Sequence, residues 1–83
     1  MPVYADLSGV SKYANLSGKS NVDTYRELKE GIEVTFNDGS VYTYTHASAG
    51  KSNIAFMKRL ANQGHGLNGF INVVVRKLYE SKA

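Results

Sequence analysis

At 83 residues with no cysteine, the chain is one small domain with neither disulfide staples nor thiolate zinc sites. Its 42% hydrophobic content and six tyrosines supply a core and argue against a disordered chain. The net charge of +3 is unevenly spread, with a balance of −3 over residues 20–50 and +5 over residues 51–83.

A basic half suggests an anionic partner, although solvated helix faces give the same pattern. No apolar run nears the ~20 residues that span a bilayer, and no signal-peptide pattern follows Met1. A cytoplasmic protein with no membrane partner is therefore expected. So small a core also gains from burying apolar surface between copies, which is compatible with a homo-oligomer.

Residues 1–19 read as an N-terminal arm. Tyr4-Ala5-Asp6-Leu7-Ser8-Gly9 recurs as Tyr13-Ala14-Asn15-Leu16-Ser17-Gly18, too short and too few copies for a solenoid. Such an arm either packs its Tyr and Leu residues on something else or stays loosely ordered.

Residues 20–83 read as an α+β domain. Val22–Leu28 supplies a first strand, Lys29-Glu30-Gly31 a turn, Ile32–Phe36 a second strand and Val41–Thr45 a third. The intervening Asn37-Asp38-Gly39 is a turn in which Gly39 accepts the left-handed conformation. A three-residue loop pairs Phe36 with Ser40, Val34 with Tyr42 and Ile32 with Tyr44. That register collects five apolar side chains on one face and leaves Glu33, Thr35, Thr43 and Thr45 on the other. A two-residue loop would scatter them, so the three-residue loop is expected.

Ser52 is expected to cap a helix running to about Gln63, stopped by Gly64. At 100° per residue Ile54, Phe56, Met57, Leu60 and Ala61 share one side. Asn68 is expected to cap a second helix, on which Phe70, Ile71, Val74, Val75, Leu78 and Tyr79 fill half the wheel. Read as a strand, the valine run would place Asn72 and Arg76 beside Phe70 and Val74, so the helix fits better. The expected architecture is a three-stranded antiparallel meander followed by two α-helices packed on one face.

Catalytic and metal motifs are missing. Gly-Lys-Ser occurs at Gly18 and Gly50, but a P-loop needs a glycine five residues earlier, where Tyr13 and Thr45 stand. His46 and His65 are 19 residues apart without paired carboxylates, which does not make a metal site. No nucleophile elbow or Ser/His/Asp set is recognisable, so no enzyme and no cofactor are expected.

Both helices start after a small-residue loop bearing a cation. Helix N-termini carry unpaired N–H groups and about half a positive charge, and glycine admits an anion close to the backbone. If the two starts converge, Lys51, Ser52, His65, Gly66 and Asn68 could grip a phosphate. Lys58, Arg59, Arg76 and Lys77 would extend the field, and Tyr42 or Tyr25 could stack on a base. The bland alternative is that these glycines only end one helix and begin the next.

From Ser20 to Tyr79 the order of features resembles the KTSC domain, a small family named for its occurrence at the C-terminus of some lysyl-tRNA synthetases. Ser20-Asn21-Val22, Tyr25, Ile32–Phe36, Gly39, Tyr42, Tyr44, Gly66, Asn68, Phe70-Ile71, Arg76 and Tyr79 follow the family's order. The Gly-Leu-Asn version of the tail is similar to stand-alone members in phage-like contexts, which would place the protein in a host cytoplasm. Ala47-Ser48-Ala49-Gly50 replaces the family's Val-Pro, and the arm is additional. The resemblance implies no catalytic set, and RNA or nucleotide contact only by analogy.

Three functions are thus carried forward. The leading one is a non-catalytic module that binds, and sequesters, a phosphate-bearing small ligand such as a nucleotide. The others are an RNA or single-stranded nucleic-acid binding module and a protein-interaction or inhibitor module.

Overall fold

The computed structural model describes residues 9–16, 18 and 20–83, so the first copy of the arm's repeat lies almost wholly outside the described residues. The fold is α+β, as expected, built on a five-stranded antiparallel sheet whose strands lie in chain order. They are β1 (Val10–Lys12), β2 (Val22–Leu28), β3 (Gly31–Phe36), β4 (Val41–Thr45) and β5 (Ser81–Lys82). Between β4 and β5 come α1 (His46–Ala49), α2 (Lys51–Gln63) and α3 (Leu67–Phe70), the last continuing as a π-helical segment over Ile71–Val75.

The central hairpin has the register that the side-chain segregation predicts. Ile32 pairs with Tyr44 and Val34 with Tyr42, and the Phe36 amide donates to the Ser40 carbonyl at 2.9 Å. In β2 the pairing jumps from Val22–Phe36 to Thr24–Thr35, a bulge at Asp23. An extra residue reverses the alternation of faces. Val22 and Tyr25, three apart, are therefore both buried in the same core as Ile32, Val34 and Tyr44. The opposite face carries polar partners such as the Arg26–Glu33 ion pair, at 3.2 Å.

The helices cover the apolar face. Ile54, Met57 and Ala61 of α2 join Leu67, Ile71 and Val75 in the core, each large aliphatic side chain contributing about 1.5–3 kcal/mol by burial. Polar bonds fix how α2 lies on the sheet. Lys58 Nζ donates to the Leu28 carbonyl at 2.7 Å, Tyr25 Oη to Asn62 Oδ1 at 2.8 Å, and Asn62 Nδ2 to Glu27 Oε2 at 3.1 Å. Gly64 ends α2 at φ 73, as its position predicts, and its carbonyl accepts from the Leu16 amide at 2.8 Å.

Five details differ from the sequence-based expectation. The sheet gains edge strands at both ends, because three and two residues are too few to show alternation. The described part of the arm belongs to the fold: β1 pairs with β2, and Tyr13 is buried with its Oη accepting from the Leu67 amide at 3.2 Å. Ser52 is not a helix cap. Thr45 and Ser48 form a capping box that starts α1, the cap lying seven residues earlier, and Gly50 is the N-cap of α2. Asn68 is not a cap either, since α3 begins after Gly66, at φ 88.

The fifth difference decides the site. The expected second helix ends at Val75, short of Tyr79. Its buried residues Leu67, Ile71 and Val75 recur every fourth position, while Val73 is 83% exposed and Val74 is also exposed. β-Branched residues crowd the preceding turn of an α-helix. Here the valine run winds as a π-helix and the chain then turns back to the sheet. Among the described residues no helix is long and apolar enough to cross a membrane.

Candidate functional site

A cleft of about 620 Å³ opens between the tip of the β3–β4 hairpin and the segment from Asn68 to Tyr79. Its aromatic surface follows from the hairpin register. Tyr42 and Tyr44, two apart on β4, stack along the strand with centroids 6.4 Å apart and planes 13° apart. Phe36 meets Tyr42 edge to face at 5.4 Å and 78°.

Tyr79 reaches this cluster only because the helix stops. Leu78 N donates to the Val75 carbonyl at 2.8 Å, turning the chain, and Glu80 N donates to the Thr43 carbonyl at 2.6 Å. Val41 and Ala83 exchange bonds of 2.9 and 2.7 Å, and Thr45 Oγ1 donates to Glu80 Oε1 at 2.7 Å. Held this way, Tyr79 packs at right angles to Tyr42 (5.0 Å, 84°) and to Tyr44 (6.5 Å, 84°). Edge-to-face pairs contribute about 0.5–1.5 kcal/mol each beyond burial.

The polar lining is divided by wall. Asn21, Asn37, Asp38 and Ser40 come from the sheet and hairpin side, and Asn68, Asn72, Arg76 and Lys77 from the helical side. Asp38 Oδ1 accepts from both the amide (2.9 Å) and hydroxyl (2.6 Å) of Ser40. Those two bonds, hydroxyl first, hold its carboxyl below the usual carboxylate range. On β5, Lys82 Nζ sits 5.3 Å from the Tyr42 ring centroid. Its pKa is raised chiefly by hydrogen bonding to Tyr42. Burial, reinforced by Tyr42 and Tyr79, pushes the Tyr44 phenol up to about 12. The site thus has Arg76 and Lys77 on the helical wall, Asp38 at the hairpin tip and Lys82 behind Tyr42 on β5.

Of the residues expected in a site, the structure brings Tyr42, Asn68, Arg76 and Lys77 together in this cleft and leaves seven elsewhere, among them Tyr25, buried in the core, and Lys58, bonded to the Leu28 carbonyl. Lys51 and Ser52 are exposed at the start of α2, beyond the Gly31–Thr45 end of the hairpin. Neither lines the cleft, and the 13 residues of α2, ~20 Å at 1.5 Å per residue, separate them from His65 and Gly66. Arg59 lies over Phe56, its Cζ 5.9 Å from the ring centroid, on the exposed surface of α2. His65 and Gly66 belong to the exposed α2–α3 connection. The two helix starts thus do not build one anion site.

Phe36, Tyr44 and Tyr79, together with Asn21, Asn37, Asp38, Ser40, Ile71 and Asn72, were not foreseen as site residues. The register already placed Phe36 and Tyr44 beside Tyr42. Nothing in the sequence pattern announced the return of Tyr79 and Lys82. Chemically, the cleft can hold a flat ring against the tyrosines and an anion against Arg76 and Lys77. Among the described residues no three His, Asp or Glu side chains cluster as metal ligands. No protein-family model, curated protein or solved structure matches the chain.

Proposed function

We propose that the protein is a non-catalytic module that binds a phosphate-bearing small molecule of the nucleotide class and so sequesters it. The observation that carries this reading is the placement of Arg76 and Lys77 beside a wall of Phe36, Tyr42, Tyr44 and Tyr79 in one cleft. Aromatic rings accept a base face, and guanidinium and ammonium groups accept phosphate oxygens. A cleft of about 620 Å³ lies within the ~300–1,000 Å³ usual for small-ligand sites. The absence of a catalytic set in the sequence agrees with binding rather than turnover. On this reading the chain is also a divergent relative of the KTSC domains.

Isothermal calorimetry against mono-, di- and cyclic nucleotides tests the proposal. Binding that is lost on removing Arg76 supports it; no heat from any nucleotide at high protein concentration refutes it.

Single-stranded nucleic acid is a second reading, favoured by one observation. Phe56 is exposed on α2, with Arg59 over its ring and Phe70 edge-on at 4.9 Å, a stacking surface outside the cleft. That reading requires affinity to rise with strand length and fall steeply with salt. A length-independent affinity leaves the small-ligand reading in place.

A further inference from the structure

We propose that Asp38 selects ribonucleotides over 2′-deoxynucleotides by accepting a hydrogen bond from the ribose 2′-hydroxyl, an inference that rests on the nucleotide reading of the cleft. Among the described residues Asp38 is the only carboxylate lining the cleft, and it stands on the hairpin wall across from the Arg76 and Lys77 wall. Lys82 of β5 attracts Asp38 but does not line the cleft, so a phosphate beside Asp38 would meet its carboxylate, whereas on the helical wall it meets both Arg76 and Lys77. What reaches Asp38 must then be a hydrogen-bond donor, because an ionised carboxylate accepts and does not donate.

The carboxylate is already oriented for this. Both Ser40 bonds fall on Oδ1, at 2.9 and 2.6 Å, which fixes the side chain at the hairpin tip and leaves Oδ2 for an incoming donor. Asp38 is exposed at the mouth, whereas Tyr44 forms the buried end of the aromatic wall at 1% exposure. A nucleotide that stacks its base on the rings and sends its phosphates to Arg76 and Lys77 leaves its sugar between them, at the mouth. The ribose hydroxyl is the donor at that level. A carboxylate that accepts from a ribose 2′-hydroxyl is also found in dinucleotide-binding folds, where it holds that hydroxyl in place of a 2′-phosphate. The four asparagines of the lining carry both donors and acceptors, so base edges have partners without Asp38.

The test is calorimetry of the wild type and Asp38→Asn with the four ribonucleoside 5′-diphosphates and their 2′-deoxy counterparts. The wild type is expected to prefer the ribo form by about tenfold or more, as a hydrogen bond to a charged group predicts. Asp38→Asn should bind both forms within about threefold of each other, and its thermal midpoint should stay near that of the wild type. Equal binding of ribo and deoxy forms by the wild type overturns the inference alone. So does a ribo preference that survives in Asp38→Asn, or a substitution that changes only guanine against hypoxanthine discrimination. Failure of every diphosphate to bind overturns this inference and the nucleotide reading together.

Discussion

Gly31→Ala tests how tightly the hairpin beneath the cleft is built. A Cβ placed on Gly31 lies 2.2 Å from the Tyr44 carbonyl oxygen and 3.1 Å from Thr45 Cα, while real Cβ atoms essentially never approach within 3.0 Å. Backbone, not a flexible side chain, must therefore move by about 0.8 Å, opening the ladder where Gly31 pairs with Thr45. Overpacking of this kind costs about 1–3 kcal/mol, and weakening one ladder bond adds about 1 kcal/mol. A loss of about 3 kcal/mol is large for a domain of this size, whose whole stability is about 4–12 kcal/mol. At about 4–8 °C per kcal/mol, the melting midpoint should fall by about 12–24 °C. Gly69→Ala supplies the opposite sign. Nothing lies within 4 Å of its Cβ, and it sits in α3 without a positive φ. Replacing a helical glycine there should stabilise by about 0.8 kcal/mol and raise the midpoint by about 3–6 °C. Thermal unfolding followed by circular dichroism reads both. A Gly31→Ala midpoint within 4 °C of wild type would refute the close approach of β3 and β4.

Three further outcomes follow from the site. Arg76→Ala should weaken nucleotide binding about tenfold or more in calorimetry, whereas Lys51→Ala should leave it within about twofold; the reverse order would restore the helix-start anion site. Tyr42→Ala should weaken binding by about 5–150-fold, the usual range for losing one base-stacking ring, and unchanged affinity would remove the rings from the site. The third outcome concerns pH. Because the folded state holds the Tyr44 phenol protonated up to about 12, its contribution is complete below its ordinary value of 10.0 and is lost as pH rises through 12. Alkaline unfolding monitored by circular dichroism should therefore begin near pH 10 in the wild type and be less steep in Tyr44→Phe; superimposable curves would contradict the burial of this phenol.

The hairpin was legible because strict alternation constrains it from both sides. Only one loop length puts Ile32, Val34, Phe36, Tyr42 and Tyr44 together, and the observed pairing is that one. The body and end of α2 were legible for the same kind of reason, a helical stripe closed by Gly64. Its start was not. Ser52 has the chemistry of a cap, but Thr45 with Ser48 has it too, seven residues earlier at the end of β4. Caps are read from local chemistry, and two candidates in one stretch are separated only by where the preceding strand ends.

The C-terminal segment shows why half of the cleft was hidden. On a helical wheel Phe70, Ile71, Val74, Val75, Leu78 and Tyr79 form one apolar face, and continuing the helix through Tyr79 satisfies that pattern. The wheel does not register what lies opposite. Tyr42 and Phe36 are only partly covered by the core, and β4 still has an unpaired edge. Ending the helix at Val75 gives up a turn of helical bonds but lets residues 80–83 pair with β4 and sets Tyr79 on edge against two tyrosines. The same step brings Lys82 over Tyr42 and leaves Arg76 and Lys77 at the bend, lining the cleft. Covering the β4 edge and assembling the cationic and aromatic parts of the cleft are therefore one structural event. A substitution that prolonged the helix would be expected to remove both at once.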